Sequence, residues 1–442
     1  MNLSVSKCLP LLEEYRQIFK PLIFERDTAM IRADNRQLTE KRKYLRQLQL
    51  SLHLLTQCYL RYAQQRFQRG KRPAEDPVYL LCLLRAAELL SLQVVNAFQH
   101  YYQPPDKAIW QLHQIYLYLE SANCLKSLPE FKQPIEVTDF YTVYVRTLLT
   151  GIADPYNMPR FSVVKIFQLM GSLTNETDID LMSEKQMHIT SQFLLTGHFC
   201  INGQSDQLPL AMARTAVDIR SASDTRLLNV QPLLRRLDTI IKQQKNISAI
   251  ERQVLTHAIP QLNGSYERQT ERTTSIERRT VGVCYGLKAI HQMLSQEGKV
   301  NVQPWTLMNQ GDKGLMLMRE TADCRAIQIG DLIAFKETPD HNQLGIIRWL
   351  HIGPEQTRIG LSVLQGKASA EQCIPEGEMA EIPVISLNDD DKPSLLSQKG
   401  LFSPKRKIHL NTSEVKSLIG ADQLLSSTLD YDYFSYKTLK IS

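Results

Sequence analysis

The sequence predicts an α+β multidomain chain, in which an N-terminal helical bundle or set of helical hairpins precedes a C-terminal β-barrel with an additional β-rich tail. Helical periodicity dominates the first 190 residues, the patterning changes near residue 190, and short apolar runs separated by turn signals follow residue 264. A length of 442 residues also exceeds what one hydrophobic core usually serves. We therefore expect two or three domains.

The expected domain boundaries lie where composition and periodicity change. We predict a helical domain over residues 1–190, a mixed strand and helix linking segment over 191–263, a β-barrel over 264–370 and a β-rich C-terminal extension over 371–442. Two possibilities stay open for the extension, because its strands could complete the first barrel or form a second one.

The helical domain is predicted from apolar residues that recur three and four positions apart. After the turn signal Glu75-Asp76-Pro77, leucine, alanine and valine recur on one face through Val94, with Arg85 and Glu88 between them. Pro104-Pro105 ends this segment and a further helix follows at once, so the two helices should pack antiparallel. The helices that we predict cover residues 38–62, 80–94, 106–119, 138–149, 163–170, 230–244 and 249–262.

The strands are predicted from short apolar or β-branched runs between turn residues. Run 344–352 is apolar on both faces, so its prediction depends on β-branched content and short length more than on alternation. One helix, over 289–295, interrupts the series, and the aromatic C-terminal stretch is typical of a closing strand. The other predicted strands cover residues 192–202, 280–287, 314–319, 331–336, 357–364, 380–387 and 405–410.

Composition and charge favour a folded cytoplasmic protein. Hydrophobic residues make up 43% and charged residues 22%, which excludes global disorder, and the formal charge of +6 permits an anionic partner without requiring one. The eight cysteines are scattered and form no C-x-x-C pair, as is usual for reduced core residues. The N-terminus has no secretory pattern, and the apolar stretch 78–95 is too amphipathic to span a bilayer.

No catalytic or metal-binding signature is present, so we predict no enzyme, no catalytic residue, no cofactor and no metal. Phosphate-binding, dinucleotide-binding, serine-hydrolase and zinc-protease motifs are all missing, and His198 beside Cys200 lacks a second pair of ligands. The basic clusters 41–43 and 66–72 are typical of solvated helix faces. Contact with nucleic acid or acidic lipid is the alternative for them.

Two further motifs, taken together, are more specific than these clusters. The charged stretch 264–279, GSYERQTERTTSIERR, contains Arg268 and Arg272 in an R-x-x-x-R arrangement, and 309–314, NQGDKG, precedes the strand-like run LMLMRE. This order resembles the signature of the PilZ family, R-x-x-x-R followed by [D/N]-x-S-x-x-G. The runs LGIIRWLHIG and TRIGLSVLQG resemble the paired central strands of that family. The resemblance covers about residues 265–370.

The resemblance implies a PilZ-like β-barrel that binds cyclic di-GMP. Arg268 and Arg272, about 13 Å apart in an extended segment, would hold phosphates or the O6 and N7 edges of guanine. Asn309 would read a base edge, while Gly311 and Gly314 would allow a tight turn and a close approach of the ligand. Gly311 replaces the family's serine, so one hydroxyl is absent. Arg278 and Arg279 form a competing basic pair nearer to the first strand.

The expected function is therefore that of a non-enzymatic effector. Cyclic di-GMP bound at the barrel would be coupled to a protein partner held by residues 1–260. A first alternative is a ligand-free PilZ-like adaptor that acts only through protein–protein contact. A second alternative, which we favour less, is a nucleic-acid-binding protein, whose affinity would fall steeply with salt.

Overall fold

The computed structural model describes residues 5–24, 35–131, 136–181, 196–212, 222–243, 248–264, 278–296, 300–311, 313–320, 327–338, 341–388, 392–411, 416–428 and 430–439. The chain divides into two compact units, Met1–Glu267 and Arg268–Ser442. The fold class predicted from the sequence is confirmed, since a helical region precedes two closed six-stranded β-barrels.

The first unit is mainly helical, and one long apolar helix lies at its centre. Its helices are α1 Val5–Phe24, α2 Asn35–Gln68, α3 Pro77–Gln99, α4 Ala108–Ser121, α5 Phe140–Ile152, α6 Arg160–Ser172, α7 Gln231–Gln243 and α8 Ala249–Asn263. Helix α3 is buried over nearly its whole length, and its charged residues Arg85 and Glu88 form an ion pair inside the fold. It is the one helix of the described residues that is long and apolar enough to cross a membrane, yet 94% of that apolar window is buried inside the fold.

A small antiparallel sheet accompanies these helices. Its strands are β1 Asp178–Leu181, β2 His198–Asn202, β3 Leu210–Ala211 and β4 Thr225–Asn229, in the order β1-β4-β2-β3. Only β2 was expected, as the end of the predicted strand 192–202, of which residues 192–195 lie outside the described residues. The other three strands have five residues or fewer, too few for a periodic pattern to emerge.

The second unit begins with a closed barrel over residues 279–363. Its strands are β5 Arg279–Tyr285, β6 Gln303–Gly311, β7 Gly314–Arg319, β8 Leu332–Thr338, β9 His341–Ile352 and β10 Thr357–Val363, paired in the order β10-β7-β6-β5-β8-β9. The predicted helix is also present, as α9 Leu287–Leu294. Strand β6 was missed, because its C-terminal part, LMNQG, looks like the beginning of a turn.

The remaining strands close a second barrel. They are β11 Lys367–Pro375, β12 Ile382–Asn388, β13 Ser394–Gln398, β14 Lys407–Asn411, β15 Lys416–Ser427 and β16 Tyr431–Thr438, in the order β11-β12-β13-β16-β15-β14. Since β11 begins at Lys367, the C-terminal strands do not complete the first barrel. Closure pairs every strand on both sides and leaves no open sheet edge.

The two barrels share a buried cluster, which explains why β9 is apolar on both faces. Ile347 and Leu350 are buried on the side of the first barrel's interior, whereas Leu344 and Ile346 belong to a cluster that includes Ile385 of the second barrel. A β-bulge at position 348 shifts the pairing of β9 with β10, so strict alternation is broken within this strand.

Candidate ligand-binding site

The predicted N-x-G-x-x-G motif forms a β-hairpin. Asn309 and Gly311 belong to the end of β6, and Gly314 opens β7 directly opposite Gly311. The motif therefore lies across a strand, a turn and the next strand, and not only at a strand start as the sequence suggested. Arg268 and Arg272 lie outside the described residues, so the structure does not test their part in the site.

A bulge in β6 directs Asn309 away from the barrel core. Leu307 pairs with Leu317, but Asn309 pairs with Met316, which leaves Met308 as the extra residue. Without the bulge, Asn309 would share the parity of Leu307, which is 2% exposed in the interior. The irregularity instead places Asn309 on the outer face together with Met316, which is a common use of bulges next to binding sites.

Asn309 lies in one cross-strand row with Met316, Gly360 and Trp349, in strands β6, β7, β10 and β9. Met316 pairs with Gly360, and Gly360 pairs with Trp349. The indole of Trp349 covers Gly360, because a Cβ at that glycine would lie 1.8 Å from the indole Nε1. The pairing of tryptophan and glycine on adjacent strands thus has a packing reason.

The side-chain oxygen of Asn309 is buried, and no described residue donates a hydrogen bond to it. A buried carbonyl oxygen without a donor costs free energy, and most such groups in folded proteins find a partner in the protein or in water. An oxygen left without a donor, in the same cross-strand row as a half-exposed indole, is suited to accept a hydrogen bond from a ligand N–H group.

Gly314 of the motif packs closely against a neighbouring strand. A Cβ at Gly314 would lie 2.8 Å from the backbone oxygen of Leu361, so the bare Cα is needed for close packing of β7 against β10. Lys313, in the turn, accepts a backbone hydrogen bond from Val363 N–H at 3.1 Å. Gly314 therefore has a structural role whether or not a ligand approaches it.

The competing basic pair is divided between the two sides of the barrel wall. Arg279 pairs with Leu307 and shares the parity of the interior residue Val281. Arg278 directly precedes β5 and, by alternation, lies on the outer side with Thr280, which puts it near Met308 and Asn309. Of the two arginines, the register therefore brings only Arg278 to the face that carries Asn309.

A second arginine, which sequence reasoning missed, borders the same face. Arg358 pairs with Met318 on one side and with His351 on the other, and it forms no ion pair with a described residue. Burial lowers the pKa of His351 below its ordinary value, and the positive charge of Arg358 lowers it further. Arg358 was not singled out from the sequence, because its place on the face of Trp349 follows only from the pairing of β10 with β7 and β9.

The outer face thus combines an amide oxygen, an indole ring and two guanidinium groups. Such groups accept from base N–H donors, stack on a base, and bond phosphate or carbonyl oxygens. Within the described part of the chain no group of three or more histidine, cysteine, aspartate or glutamate side chains is placed to hold a metal ion. The chemistry available here is that of ligand binding by hydrogen bonding, stacking and charge.

Comparison with known protein families gives an independent indication of a ligand, and this indication comes from the first unit, Met1–Glu267. Residues 1–185 match the family described as the N-terminal domain of the cyclic-di-GMP receptor FimW. This match covers less than half of the chain and includes none of the barrel residues discussed above. No curated protein matches the chain.

Proposed function

We propose that this protein is a non-enzymatic effector that binds cyclic di-GMP on the outer face of its first barrel. The observation that carries the proposal is the buried Asn309 oxygen without a described donor, in one row with Trp349 and bordered by Arg278 and Arg358. The similarity of residues 1–185 to the N-terminal domain of a cyclic-di-GMP receptor supports the same ligand.

Each group of the face has a complement in the dinucleotide. The Asn309 oxygen accepts from an N–H group of a guanine base, and the Trp349 ring stacks against a base or supports one from below. Arg278 and Arg358 bond phosphate oxygens or the O6 and N7 atoms of guanine. The row from β6 to β9 crosses three interstrand spacings, about 14 Å, which is enough for two linked nucleotides.

Arg268 and Arg272 complete the proposed site from the segment that precedes β5. Both residues lie outside the described residues, and their part in binding the ligand is what the PilZ resemblance implies. The PilZ-like character of the barrel belongs to this proposal, and so does the cytoplasmic location.

Coupling to a protein partner is the output that we propose. The helical region up to residue 260 holds the partner, and ligand binding at the barrel changes the affinity for it. Such a change requires the ligand to interact differently with two states of the protein. The ligand is bound and released unchanged, so no cofactor or metal takes part.

The test is isothermal titration of the full chain with cyclic di-GMP, with GTP and cyclic di-AMP as controls. We expect saturable binding that is about tenfold weaker in Asn309→Ala, since one hydrogen bond is lost. The double variant Arg268→Ala/Arg272→Ala should bind on the order of a hundredfold more weakly, because two charge-assisted contacts disappear. The matched control is Arg235→Ala/Arg236→Ala, which removes two exposed arginines from α7.

The possible results test the identity of the ligand and the position of its site separately. Absence of heat and of thermal stabilisation at high ligand concentration would reject the receptor function. Binding that is unchanged in Asn309→Ala and in the double arginine variant would keep the receptor function but reject the barrel site. The matched region 1–185 would then be the next place to search.

A further inference from the structure

The corner between α2 and α3 is held in one conformation by its own hydrogen bonds. Helix α2 ends in a left-handed glycine, Gly70, with φ of 68°. The Gly70 N–H donates to Phe67 O at 2.9 Å, and the Lys71 N–H donates to Arg66 O at 3.1 Å, which is the Schellman arrangement. Asp76 caps α3 by accepting from Val78 N–H at 3.0 Å, and Arg66 donates to its second oxygen at 3.1 Å.

This corner presents three cations and an aromatic ring to solvent. Arg69, Lys71 and Arg72 are all exposed, and none forms an ion pair with a described residue. Phe67 is 59% exposed, and its ring meets that of Tyr118 edge to face at 6.2 Å. A large apolar side chain at the tip of a cationic turn has no role in the core and is therefore available for an external surface.

We propose that this cationic corner, residues 66–72, docks the protein on an anionic phospholipid surface. The cations attract acidic headgroups, and the Phe67 ring enters the headgroup region. Stable peripheral binding needs two weak interactions of this kind, and residues 66–72 supply both.

Nucleic acid fits the same corner less well. The three unpaired cations lie within four residues, which span at most about 14 Å of chain and reach only a few phosphates. Non-specific duplex binding commonly neutralises about six to ten phosphates along an extended basic track.

The test is flotation of the full chain with vesicles of phosphatidylcholine alone and with vesicles that also contain phosphatidylglycerol. We expect binding only to the anionic vesicles. Each cation contributes about fivefold in affinity, so Arg69→Gln/Lys71→Gln/Arg72→Gln should bind on the order of a hundredfold more weakly. Phe67→Ser should weaken binding about tenfold at unchanged charge.

The matched control is Arg235→Gln/Arg236→Gln/Lys288→Gln, which removes three exposed cations elsewhere and should float like the unmodified protein. Equal loss in both triple variants would show a general charge effect and overturn the proposal, as would absence of flotation with anionic vesicles at low salt.

Loss of single-stranded DNA binding in the corner variant, with flotation unaffected, would assign the corner to nucleic acid instead. If the triple variant does not fold, Phe67→Ser tests the proposal in its place, because Phe67 is exposed at the surface. The proposal is independent of the nucleotide site, so the corner variants should titrate with cyclic di-GMP normally.

Discussion

The indole of Trp349 packs over Gly360 on the proposed ligand face. The indole lies where a Cβ of residue 360 would be, so the role of this glycine is to leave space for the ring and not to add backbone flexibility. Tryptophan placed over a strand glycine in this way protects the backbone and orients the indole.

We predict that Gly360→Ala destabilises the first barrel by about 1–3 kcal/mol, because the added methyl group displaces the indole. Chemical denaturation followed by tryptophan fluorescence measures the effect. In a Trp349→Ala background the same change should cost far less, since the clash is removed, and a double-mutant cycle gives the coupling. Additive effects of the two substitutions would contradict the packing described here.

His113 makes the helical unit sensitive to acid. Its Nε2–H donates to the Gln207 carbonyl at 3.0 Å, and its Nδ1 accepts from the Tyr144 hydroxyl at 2.7 Å, an arrangement that requires the neutral ring. Burial lowers the pKa of His113 below its ordinary value, although the hydrogen bond to Gln207 opposes the shift. The neutral form is therefore the one that the folded state stabilises.

We predict that acidification below about pH 6.5 lowers the free energy of unfolding, because the unfolded chain takes up a proton that folded His113 does not. The contribution is at most about 1.4 kcal/mol per pH unit and is absent above that range, where both states are neutral. His257 and His351, whose pKa values burial also lowers, act in the same direction. His113→Gln should therefore show a shallower, not a flat, pH dependence in urea titrations, and an unchanged slope would contradict the prediction.

At the scale of elements, helix α9 connects the two barrels. Ile290 is fully buried in the cluster that joins Leu332 and Ile346 of the first barrel to Ile385 and Leu396 of the second. Two hydrogen bonds reinforce the contact: His291 Nε2 with Glu371 O at 3.0 Å and Tyr431 OH with Gly330 O at 2.7 Å.

We predict that Ile290→Ala destabilises both barrels together, by about 2–5 kcal/mol, because the cavity opens in a core that they share. Hydrogen exchange should rise in β9 and in β12 alike. Val283→Ala, a truncation at a fully buried position of β5 outside that cluster, is the control and should affect the first barrel more than the second. Unchanged protection of β12 in Ile290→Ala would mean that the barrels open independently.

At the scale of the whole molecule, each unit has its own hydrophobic core. One described cluster draws all its buried members from residues 48–262, and two others draw theirs from residues 284–436. A segment with its own core can fold without the rest of the chain.

We predict that residues 1–264 and 265–442, produced separately, each fold and unfold cooperatively, as measured by circular dichroism. Under the proposed function, saturating cyclic di-GMP should raise the melting temperature of 265–442 but not of 1–264, since a ligand stabilises only what it binds. The reverse result would move the nucleotide site to the region that matches the receptor family. Failure of either fragment to fold would refute the independence of the two cores.

The helices and many of the strands could be predicted, but the candidate site only in part. Helix α3 carries the local signals of helical periodicity and an aspartate–proline start, and strand β7 that of a short apolar run after a glycine turn. Strands β6, β11, β13 and β15 were missed, because polar residues, glycine and irregular alternation hide them. Asn309 as a ligand-binding residue stays a prediction, and nothing local in the sequence indicated that Met308 would bulge and turn Asn309 outward.

The sequence by itself determined the α+β class and the order of a helical region before barrel strands, because the periods of helix and strand are written in neighbouring residues. It also determined the spacing of the N-x-G-x-x-G motif. Only the tertiary structure decided that twelve strands close as two barrels and that Asn309, Trp349 and Arg358 share one face. Strand pairing joins residues far apart in the chain, and a single bulged residue reverses the face of all that follow, so the site exists only once the register is set.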